Sequence, residues 1–389
     1  MAEGPETSME TGTKKSNTPH CLGFRLVHRA LVPCCQGSCL VDWCMLSCSP
    51  VIASLSWGIT SWLPSWCPTS LCKLEEAEQR MLQPIHSKFY KKFVHISSDN
   101  KLWTLVFSDT SVEHKTPLVL LHGFGGGVGL WTMNLDALSQ QRPVYALDLL
   151  GFGQSSRPHF SIDAHEAETQ FVESVEEWRE KLGLESVILL GHNLGGYLAA
   201  AYSLKYPSRV KHLILVEPWG FPECPEAGVE DRPFPVWIKV LGAVLSPFNP
   251  LAGLRLAGPL GPRLVQIVRP DFKKKYTTLF NDNTVTDYIY HLNVQIPSGE
   301  TAFKNMTISY GWAKRPMLQR IGLIRSDIPI TVIYGSRSSL DGHSGNSIRE
   351  MRPNSHVELI AIRGAGHYVF ADQPEDFNHR LLRVCETVS

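Results

Sequence analysis

The sequence predicts an α/β fold: a mostly parallel sheet with helices on both faces and a helical insertion acting as a cap. Three observations carry that expectation. Short apolar runs (Leu118–Leu121, Val144–Leu147, Val187–Leu190, Leu213–Val216, Ile330–Ile333 and Val357–Ile360) alternate with helix-patterned stretches such as Phe171–Leu182, the signature of strands buried on both sides. Glycine-rich turns follow three of those runs, at His122–Gly127, Gly191–Gly196 and Gly364–His367. Between Pro218 and Trp312 the alternation breaks into proline-punctuated helical segments, an insertion between strands.

Taken in order, residues 1–56 form a cysteine-rich segment with no pattern of stable structure. Of the ten cysteines, eight lie before residue 73, and the remaining body is no disulfide scaffold. The start is polar and mixed in charge, unlike a secretory signal. Residues 57–88 form a second piece. From Ala30 to Cys72 the only charged residue is Asp42, but the serines and Pro50 argue against a membrane-spanning helix. Trp57, Trp62 and Trp66 interleave with Leu and Ile between prolines, a composition suited to a lipid–water boundary. The other reading of these rings is packing on the following domain. Lys73–Leu82 reads as an amphipathic helix with Leu74, Ala77 and Met81 on one face. Phe93–Ile96 and Leu102–Phe107 read as strands around the turn Ser98-Asp99-Asn100. The sheet core is then expected over 89–217 and 313–389, with the cap at 218–312.

Charge is balanced, with 37 Lys plus Arg against 37 Asp plus Glu, so no global field points to nucleic acid. The glycine loop is no dinucleotide fingerprint, because the sixth position of either register is Val128 or Leu130. No cysteine or histidine spacing suggests a metal site. The cap mixes apolar residues with Lys239, Arg255, Arg263, Arg269 and Lys273–Lys275, which suits either an anionic lipid surface or an ordinary solvated cap face. Lys274-Lys275-Tyr276-Thr277 fits a basophilic kinase site with Thr277 as acceptor, where a phosphate would weaken attraction to such a surface.

The three turns carry the chemistry. A strand, a Gly-x-x-x-Gly turn and a helix at Gly191–Gly195 resemble the nucleophile elbow of the α/β-hydrolase family, from about Phe89 to the C-terminus. Asn193 stands at the nucleophile position. In family order, Asp341 would be the acid, His367 the base, and the backbone N–H groups of Phe124 and Leu194 the oxyanion hole. A serine hydroxyl passes its proton to histidine and attacks a carbonyl; a carboxamide has no comparable proton, so no acyl-enzyme forms at Asn193. Conversion to a carboxylate nucleophile would need deamidation, which the bulky Leu194 slows. His367 and Asp372 also form an H-x-x-x-x-D pattern, like that of glycerolipid acyltransferases, in which histidine deprotonates an acceptor hydroxyl and no enzyme nucleophile is required. The alternative places Asp372 as a cap for the helix starting near Pro374.

The stretches Gly191–Gly196, Val216-Glu217-Pro218-Trp219-Gly220-Phe221 and Ser298–Phe303 are similar to a lipid-droplet branch of this family, over roughly Trp57 to Ser389. That resemblance implies a cytoplasmic protein on the lipid-droplet surface that binds perilipin and coactivates adipose triglyceride lipase, the patatin-like enzyme. Trp57, Trp62 and Trp66 would be its anchor, and no cofactor is expected. It implies as the alternative a CoA-dependent lysophosphatidic acid acyltransferase working through His367 and Asp372, with acyl-CoA as co-substrate.

Overall fold

In the computed structural model the described residues are 66–224, 249–308, 311–338 and 343–388. The apolar runs become a single sheet of order β1-β2-β4-β3-β5-β6-β7-β8 among these residues. The strands are β1 (Tyr90–His95), β2 (Lys101–Phe107), β3 (Leu118–Leu121), β4 (Val144–Leu147), β5 (Val187–His192), β6 (Val210–Val216), β7 (Ile330–Gly335) and β8 (Val357–Ile362). Only β1–β2 and β2–β4 pair antiparallel; the rest are parallel. The β1–β2 turn falls on Ser98 and Asp99, both at positive φ, as a tight hairpin connection demands.

Parallel strands covered on both faces should be apolar throughout, and β3 and β5 are buried at every position. Their side chains feed two cores. Leu118, Leu120, Ile188 and Leu190 point to one face; Val119, Leu121, Val187 and Leu189 point to the other, the two-residue period of a pleated strand.

The helices are α1 (Leu71–Leu82), α2 (Leu135–Ser139), α3 (Ala164–Lys181), α4 (Leu194–Lys205), α5 (Ala252–Leu256), α6 (Gly261–Val268), α7 (Pro270–Lys275), α8 (Thr284–Asn293), α9 (Gly299–Met306), α10 (His343–Met351), α11 (Val369–Asp372) and α12 (Pro374–Glu386). Helix α1 buries Leu74, Ala77 and Met81 as the pattern predicts, and also Glu78. Ser70 caps it by accepting from the Lys73 N–H. Asp163 caps α3 through the His165 and Glu166 N–H groups. Helices α5 to α9 make up the described part of the cap.

The front piece is described only from Trp66 onward. The Trp66 indole N–H donates to the Leu256 carbonyl at 3.0 Å, and its ring lies against Gly258, where a Cβ would come within 2.1 Å of it. Trp66 is nonetheless 52% exposed. Trp57 and Trp62 lie outside the described residues, as do residues 1–56. No helix among the described residues is long and apolar enough to cross a membrane.

Candidate functional site

Strand β5 ends in the turn at Asn193, and helix α4 begins at the next residue. Asn193 has φ 51° and ψ −115°, a positive-φ conformation outside the left-handed helical well and strained for any residue with a side chain. The flanking glycines are there for backbone clearance. A Cβ on Gly191 would lie 2.1 Å from the Gly195 carbonyl oxygen, and one on Gly195 would lie 2.5 Å from that of Leu121. Gly191→Ala therefore has no side chain to push aside. We expect it to lower stability by about 3 kcal/mol, read as a melting-temperature fall of about 6 °C or more; an unchanged melting temperature would show that the elbow backbone can yield.

The elbow amide is engaged. Asn193 Oδ1 accepts from the Phe124 N–H at 3.3 Å, so one expected oxyanion-hole donor is already occupied by the residue standing in for the nucleophile. Leu194, the other, is buried as the first residue of α4. Beneath them two histidines are neutral. His122 accepts from the Leu149 N–H at 3.0 Å and lies 2.8 Å from the Gly123 carbonyl, and burial pushes it down to about 4. His192 reaches the His367 carbonyl at 3.0 Å, and burial, with His367 next, holds it well below the usual imidazole range.

His367 is the accessible imidazole at the elbow, 38% exposed at its side chain. Its Nδ1 lies 3.5 Å from Glu217 Oε2. Glu217 is fully buried and sits at φ 45° directly after β6. It also accepts from the Gly335 N–H at 2.7 Å and the Ser338 hydroxyl at 2.6 Å. Asp341, the acid expected from family order, lies outside the described residues; among the described residues the carboxylate facing Nδ1 is Glu217. Sequence reasoning passed over it, although an acid at the carboxyl end of a parallel strand is where such sheets place ligands and chemistry.

Asp372 does not cap α12. Its Oδ2 accepts from the Gly366 N–H at 2.8 Å, and its Oδ1 pairs with the Lys275 ammonium from the cap. The N-cap of α12 is Gln373, with no side-chain capping bond. Thr277 is exposed just past α7, its hydroxyl donating to the Lys273 and Lys274 carbonyls.

Asn193 and His367 open onto one cleft of about 500 Å³, walled by Phe124, Trp219, Phe303 and Tyr368 and bordered by Arg269, Asp271 and Lys275. Phe303 stacks on Phe124 with centroids 4.4 Å apart and tilts against Trp219 at 4.7 Å. It is carried there by α9, where Gly299 N–H donates to the Gly151 carbonyl at 3.1 Å. An aromatic slot with charged groups at its border suits an acyl chain carrying a polar head.

The comparisons agree with this geometry. A profile of the alpha/beta hydrolase fold matches residues 116–374. The human 1-acylglycerol-3-phosphate O-acyltransferase ABHD5 is 66% identical over 82% of this chain and 91% of its own length. The human (lyso)-N-acylphosphatidylethanolamine lipase is 53% identical over 82% and 93%. Among solved structures, the naproxen esterase (carboxylesterase NP) of Bacillus subtilis superposes with a TM-score of 0.57 at 18% identity, covering 80% of this chain and 97% of that one. Fold, elbow and sequence together show that the chain belongs to the α/β-hydrolase-fold family, alongside ABHD5.

Proposed function

We propose that the protein is a lipid-metabolic member of this family that transfers an acyl group from acyl-CoA to the hydroxyl of a lysophosphatidic acid, rather than hydrolysing esters. The observation that carries this reading is a histidine backed by a buried carboxylate, opening on an aromatic cleft with no serine or cysteine among its described lining residues. His367, with Glu217 behind Nδ1, takes the proton of the acceptor hydroxyl through Nε2. The freed oxygen attacks the thioester carbonyl, the C–S bond breaks, and the departing thiolate recovers the proton from His367. The developing oxyanion would displace Asn193 Oδ1 from the Phe124 N–H. The acyltransferase activity for which ABHD5 is named supports the same chemistry.

A second reading is favoured by Asn193 itself. An elbow whose amide occupies its own oxyanion hole suits a protein that binds acyl lipid without turning it over. On this reading the protein is a lipid-droplet coactivator of triglyceride lipase that partners perilipin, anchored through Trp57, Trp62 and Trp66. The test is CoA-dependent acylation of lysophosphatidic acid by the purified full chain, run beside stimulation of added triglyceride lipase. His367→Ala should cut acylation by about 100-fold or more and Glu217→Gln by less. Equal acylation by wild type and His367→Ala would remove the transferase reading, and stimulation that survives His367→Ala would support the coactivator.

A further inference from the structure

The H-x-x-x-x-D aspartate has both oxygens committed elsewhere. Asp372 Oδ2 holds the Gly366 N–H, one residue before His367. Oδ1 pairs with Lys275, the last residue of cap helix α7. This pair is mostly sheltered, with side chains 14% and 10% exposed; Asp271 Oδ2 lies farther off, 4.0 Å from the Lys275 ammonium, so Lys275 is compensated chiefly by Asp372. The same cap helix grips the next residue of the loop. Phe272 meets Tyr368 edge-on at 4.8 Å, and the Arg269 guanidinium lies 5.4 Å from the Tyr368 ring centroid. Both cleft-border cations are internally neutralised, Arg269 by a bidentate bond to Asp271 at 2.9 Å and Lys275 by Asp372.

We propose that Asp372 is a positioning residue that latches the cap to the His367 loop through Lys275, and that an anionic phosphate headgroup entering the cleft opens this latch by taking Lys275 from it. Lys275 borders the cleft, and a phosphate monoester carries more charge than the carboxylate it replaces. Cap position and His367 position are thereby one variable, set by whether the cleft holds an anionic lipid. The inference rests on the cleft as the lipid site but not on turnover, so it stands or falls separately from acyl transfer.

The test uses the full chain with dodecyl phosphate below its micelle concentration, and dodecanol as the uncharged control. Asp372→Asn keeps an acceptor for the Gly366 N–H but leaves Lys275 only its 4.0 Å contact with Asp271. It should tighten dodecyl phosphate binding about tenfold by calorimetry and leave dodecanol unchanged. Lys275→Met should weaken dodecyl phosphate about tenfold and abolish the effect of Asp372→Asn, while Lys275→Arg should bind like wild type. In hydrogen exchange without ligand, Lys275→Met should speed exchange about tenfold in residues 364–373 as well as 268–277, with the β5 and β6 peptides unaffected. Weaker or unchanged dodecyl phosphate binding by Asp372→Asn would overturn the latch. So would loosening confined to 268–277 in Lys275→Met.

Discussion

Asn193→Ser should make the protein react covalently with a fluorophosphonate probe at residue 193, at least about 100-fold above wild type. The argument runs through what the amide now does. Asn193 Oδ1 fills the Phe124 N–H at 3.3 Å; the shorter serine side chain relinquishes that bond and offers a hydroxyl. Three other features favour labelling. The backbone at 193 already has the strained elbow conformation, the cleft holds His367 beside it, and Glu217 stands behind Nδ1. The labelling should disappear in Asn193→Ser/His367→Ala, because an unassisted serine hydroxyl is a poor nucleophile. Absence of labelling in a folded Asn193→Ser protein would mean that His367 is not aligned on the elbow, and would count equally against its proposed role as a base in acyl transfer.

Glu78→Gln should stabilise the protein at pH 8 and leave it nearly unchanged at pH 4, below the carboxyl's ordinary value of 4.5. Glu78 is fully buried where α1 meets the sheet. Its Oε1 accepts from the Trp103 indole at 2.8 Å, while Oε2 lacks a well-formed hydrogen bond among the described residues, with the Gln154 side chain nearby. Burial first, then the Asp148 charge, pushes its carboxyl up to about 8; burial also pushes Asp148 up to about 6. Asp148 has paired donors, the Val128 and Gln154 N–H groups, and the Arg157 charge beside it. Glu78 keeps its proton in the fold at pH values where the unfolded chain has released it. Stability therefore falls as pH rises from about 4.5 through about 8 and levels above that. Glutamine is the neutral isostere and lacks this slope, so melting temperature at pH 8 should rise by about 5 °C. Parallel pH–stability curves for the two proteins would show that Glu78 does not carry the dependence.

The neutral balance of charge takes on a local meaning beside these sites. Attraction to an anionic lipid cannot come from the whole molecule, and at the cleft the two bordering cations are already matched by Asp271 and Asp372. Lys273 and Lys274 remain exposed on α7, next to Thr277. A phosphate on Thr277 would lie two residues beyond the latch lysine that ends α7, which joins the predicted kinase site to the same cap helix.

Local pattern in the sequence was enough to determine the strands, α1, the elbow and the missing nucleophile. Each depends on residues close together in the chain: the apolar runs, the amphipathic face of Leu74, Ala77 and Met81, and the glycines around Asn193. His367 was legible for the same reason, as the end of a glycine turn after a strand. Three things needed the tertiary structure. Glu217 became visible only when β6 brought it against the loop from β8, since nothing in Val216-Glu217-Pro218 says which side chain it will face. Asp372 sits five residues from His367 yet bonds to Gly366 and to Lys275, 97 positions away. Glu78, on which the helix pattern is silent, is buried beside Asp148 and Trp103. Periodicity reports whether a face is apolar. Which buried charge meets which is decided by long-range packing, where desolvation makes one misplaced carboxylate cost more than local propensity can register.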